Sequence, residues 1–181
     1  MAHDPTRETA LALSWRLAAL IGIVLVLGAV LSRDTVRYGP SEPLRVPVVG
    51  VARHELVDSF GDPRDEDRLH EAIDIPAPRG TPVVAAAAGR VQSVFRSSRG
   101  GLSVYQIDRT ETWCLYYGHL DRFADGLEAG QYLNAGDAIG AVGTSGNAPD
   151  DAPHLHFAVL SLGHSTRCSD GRALNPFALF R

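Results

Sequence analysis

The chain has 181 residues, with 17 basic residues, all arginine, against 21 acidic ones and a formal net charge of −4. The absence of lysine excludes a Walker-type phosphate loop, a Schiff-base lysine and a lysine-tethered carrier, and the acidic balance argues against nucleic acid as a partner. Hydrophobic residues make up 45% of the chain, with many of them in one N-terminal run. Residues 33–181 suffice for one packed domain rather than two.

Residues 1–9 read as a short polar tail. Residues 17–31 (LAALIGIVLVLGAVL) carry no polar side chain. As a helix this run rises about 22 Å, short of the roughly 30 Å hydrocarbon core of a bilayer. Extending it back through residue 10 lengthens it but takes in Arg16, whose stem lets the charge snorkel to the interface. Residues 10–32 are therefore expected to form one transmembrane helix. The alternative is a cleaved signal segment, although residues 28–32 show no small-x-small cleavage pattern. Residues 33–45 (RDTVRYGPSEPLR) read as a spacer, and residues 46–181 as the folded domain.

That domain reads as all-β. Short β-rich runs at 54–60, 72–75, 89–96, 103–108, 112–119, 138–142 and 154–160 are separated by Gly, Pro, Asn and Asp. No window outside the N-terminal run carries a clean 3.6-residue apolar period. Eighteen glycines and 11 prolines fit a turn-rich sheet domain.

Four of the seven histidines fall in three short segments: His70-Glu-Ala-Ile-Asp74, Tyr116-Tyr-Gly-His119, and His154-Leu-His156. Side chains two apart on a strand share a face, so His154 and His156 point the same way, and His70 and Asp74 share parity if extended. Two imidazoles and a carboxylate are a standard ligand set for a catalytic zinc with one position left for water. Two further histidines, titrating near neutrality, suit proton transfer or oxyanion stabilisation. Each segment alone is weak, since an HxxxD is common by chance and a lone histidine is ordinarily a half-buried one. Their joint occurrence carries the reading. His3, His54 and His164 read as surface residues.

A helical HExxH site is excluded because Pro76 and Pro78 follow at once, so Glu71 reads as a solvated neighbour. Gly143-Thr-Ser-Gly146 lacks the second spacer of a nucleophile elbow. Cys114 and His119 are five apart on one predicted strand, which puts them on opposite faces.

Taken together, these segments resemble the lysostaphin/LytM-type zinc metalloendopeptidases, which hydrolyse peptides of bacterial peptidoglycan. The motifs are FGDPR (60–64), HEAIDIPAPRGTPVVAAAAGRV (70–91), YYGHLDRF (116–123), AGDAIGAVGTSGNA (135–148), PHLHF (153–157) and LNPF (174–177). The resemblance implies a compact antiparallel β-sheet domain with a groove across one sheet. It also implies that His70, Asp74 and His156 ligate one Zn2+, and that His119 and His154 are catalytic. Within that pair, His154 is read as the general base and His119 as orienting water or stabilising the oxyanion. Two positions depart from the common pattern. Ala72 stands where many members have glycine, and Ala158 where many have glutamate; neither change removes a ligand. The rival reading is a non-catalytic peptidoglycan-binding or amidase-activating module, which would have no chemical need of the full ligand set.

Flanking arginines (Arg7 and Arg16 before the apolar run; Arg33, Arg37 and Arg45 after it) lean toward a cytoplasmic domain. The implied chemistry places it instead on the extracytoplasmic side of a bacterial cell membrane. Cys114 and Cys168 either pair, closing a loop of about 50 residues, or stay as two separate thiols. Residues 96–101 and 147–153 are candidate groove walls. No regulatory protein partner is specified.

Overall fold

In a computed structural model of the chain, residues 42–64 and 68–180 are described. The helix expected over residues 10–32, the tail before it and most of the spacer lie outside them. Among the described residues no helix is long and apolar enough to cross a membrane.

The described chain is built from strands and short 3-10 turns. Strands β1 (Pro63–Arg64) and β2 (Arg68–Leu69) form a small hairpin. The others are β3 (Ile73–Pro76), β4 (Pro82–Val84), β5 (Gly89–Ser97), β6 (Gly101–Asp108), β7 (Trp113–Phe123), β8 (Tyr132–Leu133), β9 (Ala138–Val142), β10 (His154–Ser161) and β11 (Arg172–Leu174). These nine make one antiparallel sheet with the path β11-β10-β7-β6-β5-β8. β3 pairs with the first half of β10 beside β11, and β9, itself paired to β4, runs along the second half of β7.

Alternation along the long strands sorts two faces. Val91, Val104, Leu115, Tyr117, Leu155, Phe157 and Val159 are buried in one core with Val48, Val83, Ile139 and Phe180. Tyr117 brings a hydroxyl into that core, and it is fully satisfied. It donates to Gln106 Oε1 (2.8 Å) and accepts from the Ala86 N–H (2.9 Å), while Gln106 Nε2 donates to the Ala87 carbonyl (2.9 Å). Burial holds the Tyr117 phenol above its ordinary range. The opposite face carries the alternate residues, among them Phe95, Tyr105, Tyr116, His154 and His156. At its far end, Cys114 and Cys168 are joined in a disulfide spanning 54 residues and packed with Ile107 and Leu162.

Two expectations need correction. Residues 54–60 are not a strand: a 3-10 turn spans Arg53–Glu55, and the backbone beyond it is satisfied locally. Glu55 Oε2 accepts from the Ala52 N–H and Asp58 Oδ1 from that of Phe60, so no ladder is needed. The two- and three-residue strands β1, β2, β4, β8 and β11 were not predicted, being too short to show a period.

Candidate metal centre and its groove

Strand register assembles the site. On the outer face, His156 of β10 stands opposite Asp74 of β3 on one side and Gly118 of β7 on the other. His154 enters two residues earlier on the same face, held by a bridge between its backbone and Gly143. His70 precedes β3, where its backbone exchanges hydrogen bonds with Gly61 and Asp62.

His119 reaches this face by a different route. Straight alternation would point it into the core beside Leu115 and Tyr117. Its φ is 58°, a left-handed value rare for a residue with a side chain. Here the β6–β7 register shifts, and the His119 N–H leaves the ladder for the Gly100 carbonyl at 2.8 Å. The irregularity turns the imidazole outward, and the following Leu120 returns to the core, fully buried. Cys114 and His119 therefore share a face, contrary to the parity expectation.

Three candidate ligand atoms converge. His156 Nδ1 lies 2.9 Å from Asp74 Oδ1, His70 Nε2 lies 3.2 Å from the same oxygen, and the two nitrogens are 3.2 Å apart. Among the described residues, His70, Asp74 and His156 form the cluster whose donor atoms could hold a metal ion. Donor atoms around a tetrahedral zinc at ~2.0–2.1 Å stand ~3.3 Å apart, so spacing and donor chemistry both fit. His119 and His154 flank this cluster, with ring centroids 4.9 Å apart and His119 5.4 Å from His156. His154 Nε2 is 3.6 Å from Asp74 Oδ1.

Backbone carbonyls set the tautomers. A carbonyl only accepts, so the imidazole nitrogen facing it carries the proton. His70 Nδ1 donates to Ser59 O, His119 Nδ1 to Ser145 O and His154 Nδ1 to Ala152 O, each at 2.8 Å. In the neutral rings Nε2 keeps its lone pair. The electrostatics favour the same state. Burial would raise the Asp74 carboxyl, but the His156 and His70 rings set against it overcome that and hold it well below the usual carboxylate range. Burial pushes His119 down to about 4 and lowers His156 as well, so both are neutral at pH 7.

All five predicted residues meet here, while Glu71, His54 and His164 are exposed. Sequence reasoning missed the supporting groups. Arg64, within the FGDPR motif, donates to Asp74 Oδ2. Ser59 Oγ accepts from the Asp74 N–H at 3.1 Å, and no local pattern marked it. Ser145 donates its hydroxyl to Leu120 O (2.6 Å) and accepts from the Leu102 N–H (2.9 Å), so it joins His119 to the β5–β6 hairpin.

Comparison with known proteins places these residues in a family context. The profile of Peptidase family M23 matches residues 68–176. An L-Ala--D-Glu endopeptidase of Bacillus subtilis is 36% identical over 97 residues, covering 51% of this chain and 29% of that protein. Lysostaphin of Staphylococcus staphylolyticus is 33% identical over 101 residues, covering 54% and 20%. The chain thus spans about a third or less of the length of these curated relatives. Among solved structures, the catalytic domain of lysostaphin from Staphylococcus simulans superposes with a TM-score of 0.58 at 28% identity, covering 66% of this chain and 86% of that one. The described domain is an antiparallel β domain of that type.

Proposed function

The chain belongs to peptidase family M23, and from that premise we propose that it is a zinc-dependent endopeptidase acting on peptide cross-links or stem peptides of bacterial peptidoglycan. The observation that carries this reading is the convergence of His70, Asp74 and His156 with His119 and His154 beside them. The names of the relatives support the substrate class: one is an L-Ala--D-Glu endopeptidase and another a peptidoglycan DD-endopeptidase of Vibrio cholerae.

His70 Nε2, Asp74 Oδ1 and His156 Nδ1 would hold the zinc. When bound, the metal polarises the scissile carbonyl and makes a water molecule acidic enough to attack it near neutral pH. His154 is the general base: Nδ1–H is anchored on Ala152 O, and Nε2 takes the proton from the attacking water and delivers it to the leaving amine. His119, neutral and with its one N–H committed to Ser145, offers an acceptor lone pair at Nε2 that orients the water. This favours the water-orienting role for His119 over the oxyanion-stabilising one. Arg64 steadies the far oxygen of Asp74, leaving Oδ1 for the metal.

The protein is further proposed to be anchored through residues 10–32 with this domain outside the cytoplasm. The buried disulfide supports an oxidising compartment, and a peptidoglycan substrate requires that side of the membrane. The test is muropeptide analysis of purified peptidoglycan incubated with the full chain, with and without a zinc chelator. Chelator-sensitive loss of cross-linked species is expected. Unchanged muropeptides with a folded, zinc-loaded protein would sink the hydrolase reading.

A further inference from the structure

Three aromatic side chains on the site face take no part in the metal centre. Tyr116 of β7, Tyr105 of β6 and Phe95 of β5 sit one to a strand and form a row. The Tyr116 ring stands edge-on to His156 with centroids 5.9 Å apart. Tyr105 follows at 5.0 Å, and Phe95 stacks on Tyr105 at 5.2 Å with 23° between the planes. The row begins at a proposed metal ligand and runs across the sheet away from it.

The row is built rather than incidental. Tyr116 lies back along its own strand over Gly118, where a Cβ would come within 2.9 Å of its ring. Its hydroxyl donates to Ser103 Oγ (2.8 Å), which donates to the Gly100 carbonyl (3.0 Å). Burial holds the phenols of Tyr116 and Tyr105 above their ordinary range, so both stay uncharged. All three rings are only half-buried, and Phe95 belongs to neither buried apolar cluster among the described residues. Apart from one another, the rings' direct cross-strand partners are Ser93, Ser103 and Ala158. None carries a charge.

A floor of this kind discriminates between the two components of peptidoglycan. Stem peptides carry carboxylates, which would find no counter-charge among these cross-strand partners. A neutral pyranose offers a C–H face that packs on an aromatic ring, with hydroxyls turned to the half-buried Ser93 and to water. We propose that Phe95, Tyr105 and Tyr116 form a carbohydrate subsite that holds an uncharged sugar of the glycan strand beside the peptide at the metal centre. The position of that sugar rests on the hydrolase reading above; the affinity for sugar does not.

The test uses the full chain, wild type and Phe95→Ala, with Phe95→Trp as the conservative variant. Titration calorimetry with N-acetylglucosamine oligosaccharides measures binding without any turnover. In parallel, kcat/KM is compared for cross-linked peptides still attached to glycan and for the same peptides freed from it. Phe95→Ala is expected to weaken oligosaccharide binding about tenfold and to lower the glycan-linked to free-peptide ratio of kcat/KM by a similar factor, with Phe95→Trp restoring both. Absence of oligosaccharide binding by the wild type, or equal loss on the two substrates, would overturn the subsite. Phe95-dependent oligosaccharide binding in a protein that cuts neither substrate would uphold the subsite and overturn the hydrolase reading.

Discussion

The proposed site assigns separable duties to individual atoms. His156 Nδ1 faces both Asp74 and His70, so His156→Ala removes one of three donors. Zinc content and activity are expected to vanish together, as read by metal analysis alongside turnover. His154 instead hangs from Ala152 at the edge of the cluster. His154→Ala is expected to retain zinc and lose a hundredfold or more in kcat, and collapse of its zinc content would move His154 into the ligand set. Acid stability tests the buried imidazoles. With His119 lowered to about 4 in the folded chain against about 6.5 unfolded, protons bind the unfolded state first. The metal-free protein should therefore lose stability as pH falls from about 6.5 toward 4, by about 2 kcal/mol at pH 5. His156 acts in the same direction. Urea midpoints at pH 7 and pH 5 check this.

Elements place these atoms through register and one break in it. β3, β10 and β7 present Asp74, His156 and Gly118 in line, while the left-handed His119 corrects a parity that would bury it. Gly143 shows how tightly the entry to β10 is packed. Its carbonyl accepts from the His154 N–H at 3.3 Å, and a Cβ there would collide with the backbone of Asp121. Gly143→Ala is expected to cost about 1–3 kcal/mol and to lower turnover by shifting His154. A urea midpoint unchanged from wild type would show that Asp121 yields freely.

Across the whole domain, the disulfide ties the segment after β10 back onto β7, close to where Gln92 on β5 holds the same segment through Thr166 O (2.7 Å) and the Cys168 N–H (2.9 Å). Closing a 54-residue loop is worth about 2–4 kcal/mol. The Cys114→Ser/Cys168→Ser double variant should unfold at correspondingly lower urea while retaining zinc, because neither cysteine lies in the metal cluster. Loss of zinc in that variant would show that the tether also shapes the site.

The β class and the grouping of His70, Asp74, His119, His154 and His156 into one candidate cluster were legible in the sequence. Strand alternation and ligand chemistry are local properties, written in residue types and short spacings. The short strands, the supports from Ser59 and Ser145, and the face on which His119 lies were not. Ser145 meets His119 across 26 positions and Ser59 meets His70 across 11, and no period connects such pairs. A single left-handed residue reverses the parity on which strand reading relies, and whether the chain adopts it depends on the neighbouring strand that takes up its N–H. Pairing of Cys114 with Cys168 was equally open in one dimension. Only the packed sheet, by bringing the segment after β10 over β7, set their Cα atoms 5.6 Å apart.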